Sequence, residues 1–153
     1  MQYVKGNEQY YIKIISVDLF NSFEKYIETT YEKSEFLMPI TILSQISYPS
    51  ITKLTGYGIH DKTPIILTPL YENGSLQQIL QKEQQRRIPQ NWNQTAKLIN
   101  IYGIASALAY LHSHDIIHCD LNPKNVILDK FFHSKLSGFD SAKILDDNRE
   151  KVP

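Results

Sequence analysis

The sequence predicts an α+β fold in which strands and a helix come first, a mostly helical segment follows, and short strands around a polar loop come last. Three patterns support this prediction. Residues 10–17, YYIKIISV, are dense in β-branched and aromatic side chains. Apolar residues recur at helical spacing between positions 101 and 111, and short apolar runs separated by polar loops follow.

The composition excludes several classes of protein. Sixteen Lys and Arg balance sixteen Asp and Glu, so the charge gives no reason to expect nucleic acid or an anionic membrane as a partner. A single Cys among 153 residues excludes an internal disulfide framework. No apolar run approaches the roughly 20 residues that span a bilayer, and no signal-peptide core begins the chain. We therefore expect a soluble, cytoplasmic protein.

In the first half, the strand at 10–17 precedes a mixed segment over 18–38. Helix-like spacing in that segment is shown by Leu19, Phe20, Phe23 and Ile27. Apolar residues at 40, 43 and 46 continue this spacing, and Pro39 stands before them, so a helix either begins there or is broken there. Two strands, 51–59 and 64–68, are predicted on either side of the turn His60-Asp61-Lys62.

In the second half, Ser75-Leu76-Gln77-Gln78 is a capping-box pattern that predicts a short helix after Gly74. That helix would carry Leu76, Ile79 and Leu80 on one face and end in a polar loop, KEQQRRIPQ. The segment Asn91-Trp92-Asn93-Gln94 opens the longest helix. Its predicted buried stripe comprises Ile101, Ile104, Ala105, Leu108, Leu111 and His112. Strands are predicted at 116–118, 126–128 and 134–137.

The polar loop between the first two of these short strands is the candidate site. It contains His118, Asp120 and, five residues after that Asp, Asn125. In phosphoryl transfer an Asp accepts the hydroxyl proton and an Asn holds a metal ion on the phosphates. The alternative is a solvated turn, because Asp, Asn and Pro are also ordinary turn residues.

The segment YLHSHDIIHCDLNPKNVILD resembles the catalytic loop and preceding helix of eukaryotic protein kinases, whose signature is H-R-D-L-x-x-x-N. Other stretches follow in the kinase order: YIK at the end of the V-A-I-K strand, IILTPLYENGSLQQIL at the hinge, and KLSGFDSAKIL at K-L-x-D-F-G-x-A-K. The resemblance covers about residues 10–145 and is strongest to the tyrosine-kinase-like group. Small-molecule phosphotransferases share the His-x-Asp and Asn pattern but lack the NGSL and Leu-Asn-Pro runs.

The resemblance implies a small β-rich lobe over residues 1–70 and the beginning of a helical lobe over 71–153. It implies ATP and Mg²⁺ as cofactors, with Asp120 as the base, Lys13 on the phosphates and Asn125 on the metal. Nucleotide-contacting positions implied by the resemblance are Lys13, Tyr11, Thr68, Leu70 and Ile127. Regulatory-spine positions implied by it are Leu43, Leu54, His118 and Phe139.

Several nucleotide-binding features of the family are altered. Only Gly6 and Asn7 stand where a Gly-rich loop would cover the phosphates. The expected helix Glu falls on Pro39, with Glu35 one turn earlier. Tyr11 takes the place of a small residue beside the adenine, and either Tyr11 or Tyr10 points inward, since a strand alternates its side chains. We expect ATP and Mg²⁺ binding to be weak or absent.

The catalytic motifs are altered as well. Cys119 replaces the Arg of H-R-D, where we expect a buried, inert thiol. Asn122 replaces a Lys, and Gly138 replaces the metal-binding Asp. In an extended chain Asp140 would lie about 6–7 Å further on, too far to substitute for that Asp. Asp120 is therefore expected to accept hydrogen bonds from the loop backbone.

Three functions remain open from the sequence. The first is a catalytically impaired pseudokinase that acts through a protein partner. The second is an active Ser/Thr kinase that uses Asp120, Lys13 and Asn125. The third is a non-functional fragment, since no A-P-E motif follows and the helical lobe is incomplete. We also expect marginal stability and an exposed apolar patch on the long helix.

Overall fold

The structure is a computed structural model and describes residues 2–5, 8–14, 32–60 and 63–145. Its regular elements are, in chain order, β1 (Gln2–Lys5), β2 (Glu8–Ile14), α1 (Glu32–Gln45), β3 (Gly56–His60), β4 (Thr63–Pro69), α2 (Leu76–Gln84), α3 (Gln94–His112), β5 (Ile116–Ile117), β6 (Val126–Leu128), β7 (Ser134–Leu136), a 3-10 turn (Phe139–Ser141) and β8 (Lys143–Ile144). The α+β class predicted from the sequence is confirmed.

Some sequence predictions lie outside the described residues. They are the end of the first strand over 15–17, the helical spacing of Leu19 to Ile27, the Gly6-Asn7 pair, the turn at 61–62 and the side chain of Glu35.

The chain divides into two compact units. The first comprises Met1–Ser47 with Thr52–Leu70, and the second comprises Tyr48–Ile51 with Tyr71–Pro153. The boundary predicted after residue 70 places residues 48–51 in the first unit. Contacts with β7, described below, assign them to the second unit instead.

The first unit contains a four-stranded antiparallel sheet in the order β1-β2-β4-β3. The predicted strand over 51–59 begins only at Gly56, because Ile51 pairs with Leu136 of the second unit and residues 52–55 form no regular strand. In the β2–β4 pair Tyr11 lies opposite Thr68, and Lys13 lies opposite Ile66. Because side chains alternate along a strand, these four residues share one face of the sheet.

Helix α1 begins at Glu32 and runs through Pro39 without a break, so both predicted alternatives, a start or a break at this residue, are wrong. A proline inside a helix loses the hydrogen bond to the carbonyl four residues earlier, at a cost of about 3 kcal/mol. Pro39 is buried, as are Ile42 and Leu43 on the next turn. Burial of the apolar ring offsets part of the lost hydrogen bond.

Two caps position the helices of the second unit, and the sequence predicted the one at Ser75. Ser75 caps α2 in a complete capping box, in which its hydroxyl accepts the N–H of Gln78 and the Gln78 side chain accepts the N–H of Ser75. Asn93 caps α3 through the N–H of Ala96 at 3.0 Å. Helix α2 continues to Gln84, two residues past the predicted start of the polar loop, and Leu80 on it is exposed.

The buried stripe predicted for α3 is confirmed at Leu111 but is otherwise wrong in its rotation about the helix axis. The buried residues are Asn100, Gly103, Ala107 and Leu111, whereas Ile101 is 64% exposed. The cause is a close approach at Gly103, where an added Cβ would collide with Oγ of Ser134 and lie 3.2 Å from Oγ of Ser50. Small residues face β7, and exposed apolar side chains occupy the other side: Leu98, Ile99, Ile101 and Tyr102.

We expect Gly103→Val to destabilise the protein by about 1–3 kcal/mol, because a larger side chain forces this contact apart. The control Ala105→Val, two residues along the same helix at an exposed position, is expected to change stability by less than about 0.5 kcal/mol. Urea denaturation of both variants measures the difference. Equal stability of the two variants would contradict the close approach.

Residues 48–51 join the second unit through both backbone and side chains. The N–H of Leu136 donates to the Ser50 carbonyl at 2.7 Å, and Nζ of Lys135 donates to the Pro49 carbonyl at 2.7 Å. The ring of Tyr48 stacks on Tyr110 of α3 with centroids 4.6 Å apart. This segment therefore fixes the hairpin β6–β7, which lies beside the candidate site, against α3.

In the part of the chain that the structure describes, none of the helices has the length and apolar character that crossing a membrane requires.

Candidate functional site

His118 is buried at the base of the polar loop. Its Nε2–H donates to the Ser137 carbonyl at 2.8 Å, and its Nδ1 accepts the N–H of Asp120 at 3.3 Å. This pair of partners requires the neutral ring with its proton on Nε2. The ring also contacts Phe139, centroid to centroid at 4.9 Å. Burial lowers the pKa of His118, against opposing effects of the Ser137 carbonyl, Asp120 and Asp140.

The lowered pKa predicts a loss of stability in acid. The folded chain keeps His118 neutral, whereas the unfolded chain takes up the proton near the ordinary value of 6.5. Stability is therefore complete above pH 6.5 and is expected to fall as the pH drops from there towards the lowered pKa. Urea midpoints between pH 7.5 and 5.5 should fall less steeply in His118→Gln. The control is His112→Gln, at an exposed His on α3. A slope in His118→Gln equal to that of the wild type would contradict the assignment.

Both carboxylate oxygens of Asp120 accept amide hydrogen bonds. Nδ2 of Asn122 donates to Oδ1 at 2.8 Å, and Nδ2 of Asn125 donates to Oδ2 at 2.7 Å. The same two amides also donate to the Asp120 carbonyl, at 3.2 and 2.9 Å. The donors are thus side-chain amides and not the backbone N–H groups expected from the sequence. The loop supplies its own partners for this carboxylate.

Gly138 lies directly against the Asn125 side chain. Its φ of +80° is in the left-handed region that favours glycine. The preceding residue, Ser137, donates both its N–H and its hydroxyl to the Asn125 carbonyl, at 2.8 and 3.0 Å. Beyond it the chain turns in a 3-10 turn that contains Asp140, so the extended geometry assumed from the sequence for that residue is wrong.

In the first unit, the β2–β4 register places Tyr11 on the same face of the sheet as Lys13 and Thr68. Tyr11 is 47% exposed, Tyr10 and Lys13 are half-buried, and Leu70 follows the end of β4. Of the spine positions in this unit, Leu43 is buried and Leu54 is half-buried.

In the second unit, Ile127 is a half-buried residue in the middle of β6. It lies opposite Lys135 of β7 and forms a bridge with Ser75, the cap of α2. The N–H of Leu128 donates to the Gly74 carbonyl at 2.8 Å, which ties β6 to the start of α2.

Comparison with known proteins matches residues 22–152 to the family described as protein tyrosine and serine/threonine kinase. The chain belongs to the protein kinase family.

Most of the relatives that the chain resembles are named as kinases, and several are named as receptors. A protein of Arabidopsis thaliana named "probable leucine-rich repeat receptor-like serine/threonine-protein kinase" is 34% identical over 77% of the chain and 12% of its own length. Ephrin type-A receptor 1 of Homo sapiens is 33% identical over 73% of the chain and 11% of its own length. A Dictyostelium discoideum protein named "probable serine/threonine-protein kinase" is 32% identical over 89% of the chain and 8% of its own length. The chain thus spans roughly a tenth of the length of each of these relatives.

The kinase resemblance implies Mg²⁺ at Asn125 and position 138, but the residues present do not fit the ion. Mg²⁺ is usually held by one or two carboxylates together with phosphates and water. Position 138 supplies no side chain, and the carboxylate of Asp120 already accepts two amides. Among the described ranges, 2–5, 8–14, 32–60 and 63–145, no group of three or more His, Cys, Asp and Glu is placed to hold a metal ion.

Cys119 takes the place of the kinase Arg, and its thiol is exposed, so the prediction of a buried thiol is wrong. Its φ of +59° turns the side chain outwards while the neighbouring His118 ring enters the core. The left-handed conformation is rare for a residue with a Cβ.

Ser137 is a site residue that the sequence reasoning did not identify. It accepts from His118 and donates to Asn125, so it connects the two ends of the loop from the neighbouring strand. Ser137 could have been found from the sequence, because it immediately precedes Gly138, the first residue of the segment that corresponds to D-F-G. The hydrogen bond from Asn122 to Asp120 could also have been predicted, because the Asp-x-Asn spacing is typical of local side-chain turns.

Proposed function

We propose that this kinase-family chain is a pseudokinase: it binds ATP and Mg²⁺ weakly or not at all, does not transfer phosphate, and acts through a protein partner in the cytoplasm. The observation that carries the proposal is the pair of side-chain amides that donate to the Asp120 carboxylate, where they compete with a substrate hydroxyl. A general base must accept the proton of the substrate hydroxyl. Here Asn122 and Asn125 donate to both of its carboxylate oxygens.

The charge around the loop supports the same proposal. Phosphoryl transfer depends on neutralising the charge that spreads over the γ-phosphoryl oxygens, through metal ions and cationic side chains. Gly138 contributes no ligand, and Asn122 contributes no positive charge where the family has a Lys. Removal of one such electrostatic contact costs an enzyme about 10²–10³ in rate.

The nucleotide positions of the first unit support weak binding. The phenol of Tyr11 stands on the face of the sheet that carries Lys13 and Thr68, where the kinase resemblance puts the adenine. A large exposed side chain at that position competes with a purine for the same space.

The competing proposal is an active Ser/Thr kinase, and the retained residues Asp120, Asn125 and Lys13 favour it. Phosphotransfer from radiolabelled ATP to casein and to the chain itself, with Mg²⁺ or Mn²⁺, separates the two. We expect a rate at least about 10³-fold below that of the Dictyostelium discoideum relative named as a probable serine/threonine-protein kinase, assayed alongside. Phosphotransfer within tenfold of that control would overturn the pseudokinase proposal.

A further inference from the structure

We propose that Gly138 is a positioning residue: its missing side chain is what allows the Asn125 amide to lie on the Asp120 carboxylate and close the loop on itself. This inference deepens the proposed function and rests on it for its biological meaning, but the contact itself is independent of any nucleotide or partner.

The backbone around Gly138 leaves the Asn125 amide little space. Ser137 is anchored to the Asn125 carbonyl by two hydrogen bonds, of 2.8 and 3.0 Å, and the N–H of Asn125 donates to the Asn122 carbonyl at 3.0 Å. The backbone is therefore held at both Ser137 and Asn125. Gly138, which follows Ser137, has to pass close to the Asn125 side chain.

An added Cβ at position 138 would collide with that side chain. It would overlap Cγ and Oδ1 of Asn125 and lie 2.7 Å from Nδ2, below the 3.0 Å that real Cβ atoms keep. Because the backbone is anchored, the amide has to rotate, and rotation removes its donation to Oδ2 of Asp120. We expect Asn122 to keep its own hydrogen bond to Oδ1, because the three atoms nearest to the added Cβ all belong to Asn125.

The consequence concerns the base position and the metal position of the kinase motif. In the closed loop, Nδ2 of Asn125 donates to the Asp120 carboxylate. Any residue larger than glycine at 138 separates them. The kinase motif has a metal-binding Asp where this chain has Gly138. The glycine thus removes a metal ligand and also lets Asn125 donate to Asp120.

The test is the side-chain amide signal of Asn125 in Gly138→Ala, measured by ¹H–¹⁵N NMR without nucleotide. Asn125→Ala and Asn122→Ala assign the two signals. We expect the Asn125 amide protons to exchange with solvent about tenfold faster in Gly138→Ala, as one lost hydrogen bond to a carboxylate predicts. The Asn122 signal should keep its position.

Gly74→Ala is the matched control, because Gly74 also has a positive φ, of +69°, and its Cβ would also collide with a side-chain amide, that of Gln78. This control should move the Gln78 signal and leave that of Asn125 in place. Unchanged Asn125 exchange in Gly138→Ala, or an equal change in Gly74→Ala, would overturn the proposal.

A double-mutant cycle keeps the proposal testable if Gly138→Ala folds poorly. The fall in melting temperature caused by Gly138→Ala should be smaller in the Asn125→Ala background, where the colliding amide is gone. An equal fall in both backgrounds, or failure of both to fold, would assign the loss to the left-handed backbone alone and overturn the proposal. Phosphotransfer is not a readout of this test, so its outcome is separate from that of the pseudokinase assay.

Discussion

Millimolar ATP with Mg²⁺ is expected to leave the melting temperature of the protein unchanged. A ligand at 100 times its Kd would add about 2.7 kcal/mol to the stability of the folded state. For a chain of this size that corresponds to a rise of roughly 5–10 °C. The expectation follows from Tyr11 on the Lys13 face and from the closed loop at Asp120.

Tyr11→Ala is expected to produce a rise with ATP that the wild type lacks, because the substitution clears the space beside Lys13 and Thr68. Tyr57→Ala is the control. Tyr57 lies on β3 of the same sheet, is 64% exposed and stands opposite Ile66 of β4. A rise in the wild type, or an equal rise in both variants, would show that Tyr11 does not block the nucleotide.

Asp120→Asn is expected to leave phosphotransfer at the background level of the wild type. Loss of a working general base lowers the rate by about 10²–10⁴-fold, so even weak catalysis would reveal itself as a difference between the two proteins. Asp115→Asn, at an exposed carboxylate outside the loop, is the control for changes in charge. Activity above background that is lost in Asp120→Asn alone would establish Asp120 as a base and favour the active-kinase proposal.

Substitution of Asp120 should lower the free energy of unfolding even though it leaves phosphotransfer unchanged. Asp120→Ala is expected to cost about 1 kcal/mol in urea denaturation, because the amides of Asn122 and Asn125 lose an ionised acceptor but lie near water. A loss well above 3 kcal/mol would mean that the carboxylate has buried partners beyond these two amides.

Restoring the kinase residue at 138 is complicated by the packing there. Gly138→Asp brings back a carboxylate, but its Cβ meets Asn125, and Asn122 still provides no charge. We therefore expect no phosphotransfer from this substitution alone.

The features that the sequence predicted well are those decided within a few residues. The cap at Ser75 depends on a side chain and a backbone N–H three positions apart, and it is present. The kinase motifs are equally local, which is why the family was evident from the loop around Asp120.

The features that the sequence predicted badly depend on distant partners. The rotation of α3 is set at Gly103 by Ser134 and Ser50, neither of which is near it in the chain. Helix α1 passes through Pro39 because the surroundings bury its ring. Cys119 is exposed because one left-handed residue reverses the side-chain direction after His118, which composition does not reveal.

The assignment of residues 48–51 to the second unit has a consequence for how the chain folds and where it can be divided. The Lys135–Pro49 hydrogen bond joins residues 86 positions apart, so the hairpin β6–β7 gains its neighbour only after most of the chain is synthesised. A polypeptide that starts at Tyr71 would leave the N–H of Leu136 without the Ser50 carbonyl and the ring of Tyr110 without Tyr48. Split-protein reporters or circular permutants divided between residues 70 and 71 should therefore reassemble poorly, because the division separates residues 48–51 from the hairpin that they hold.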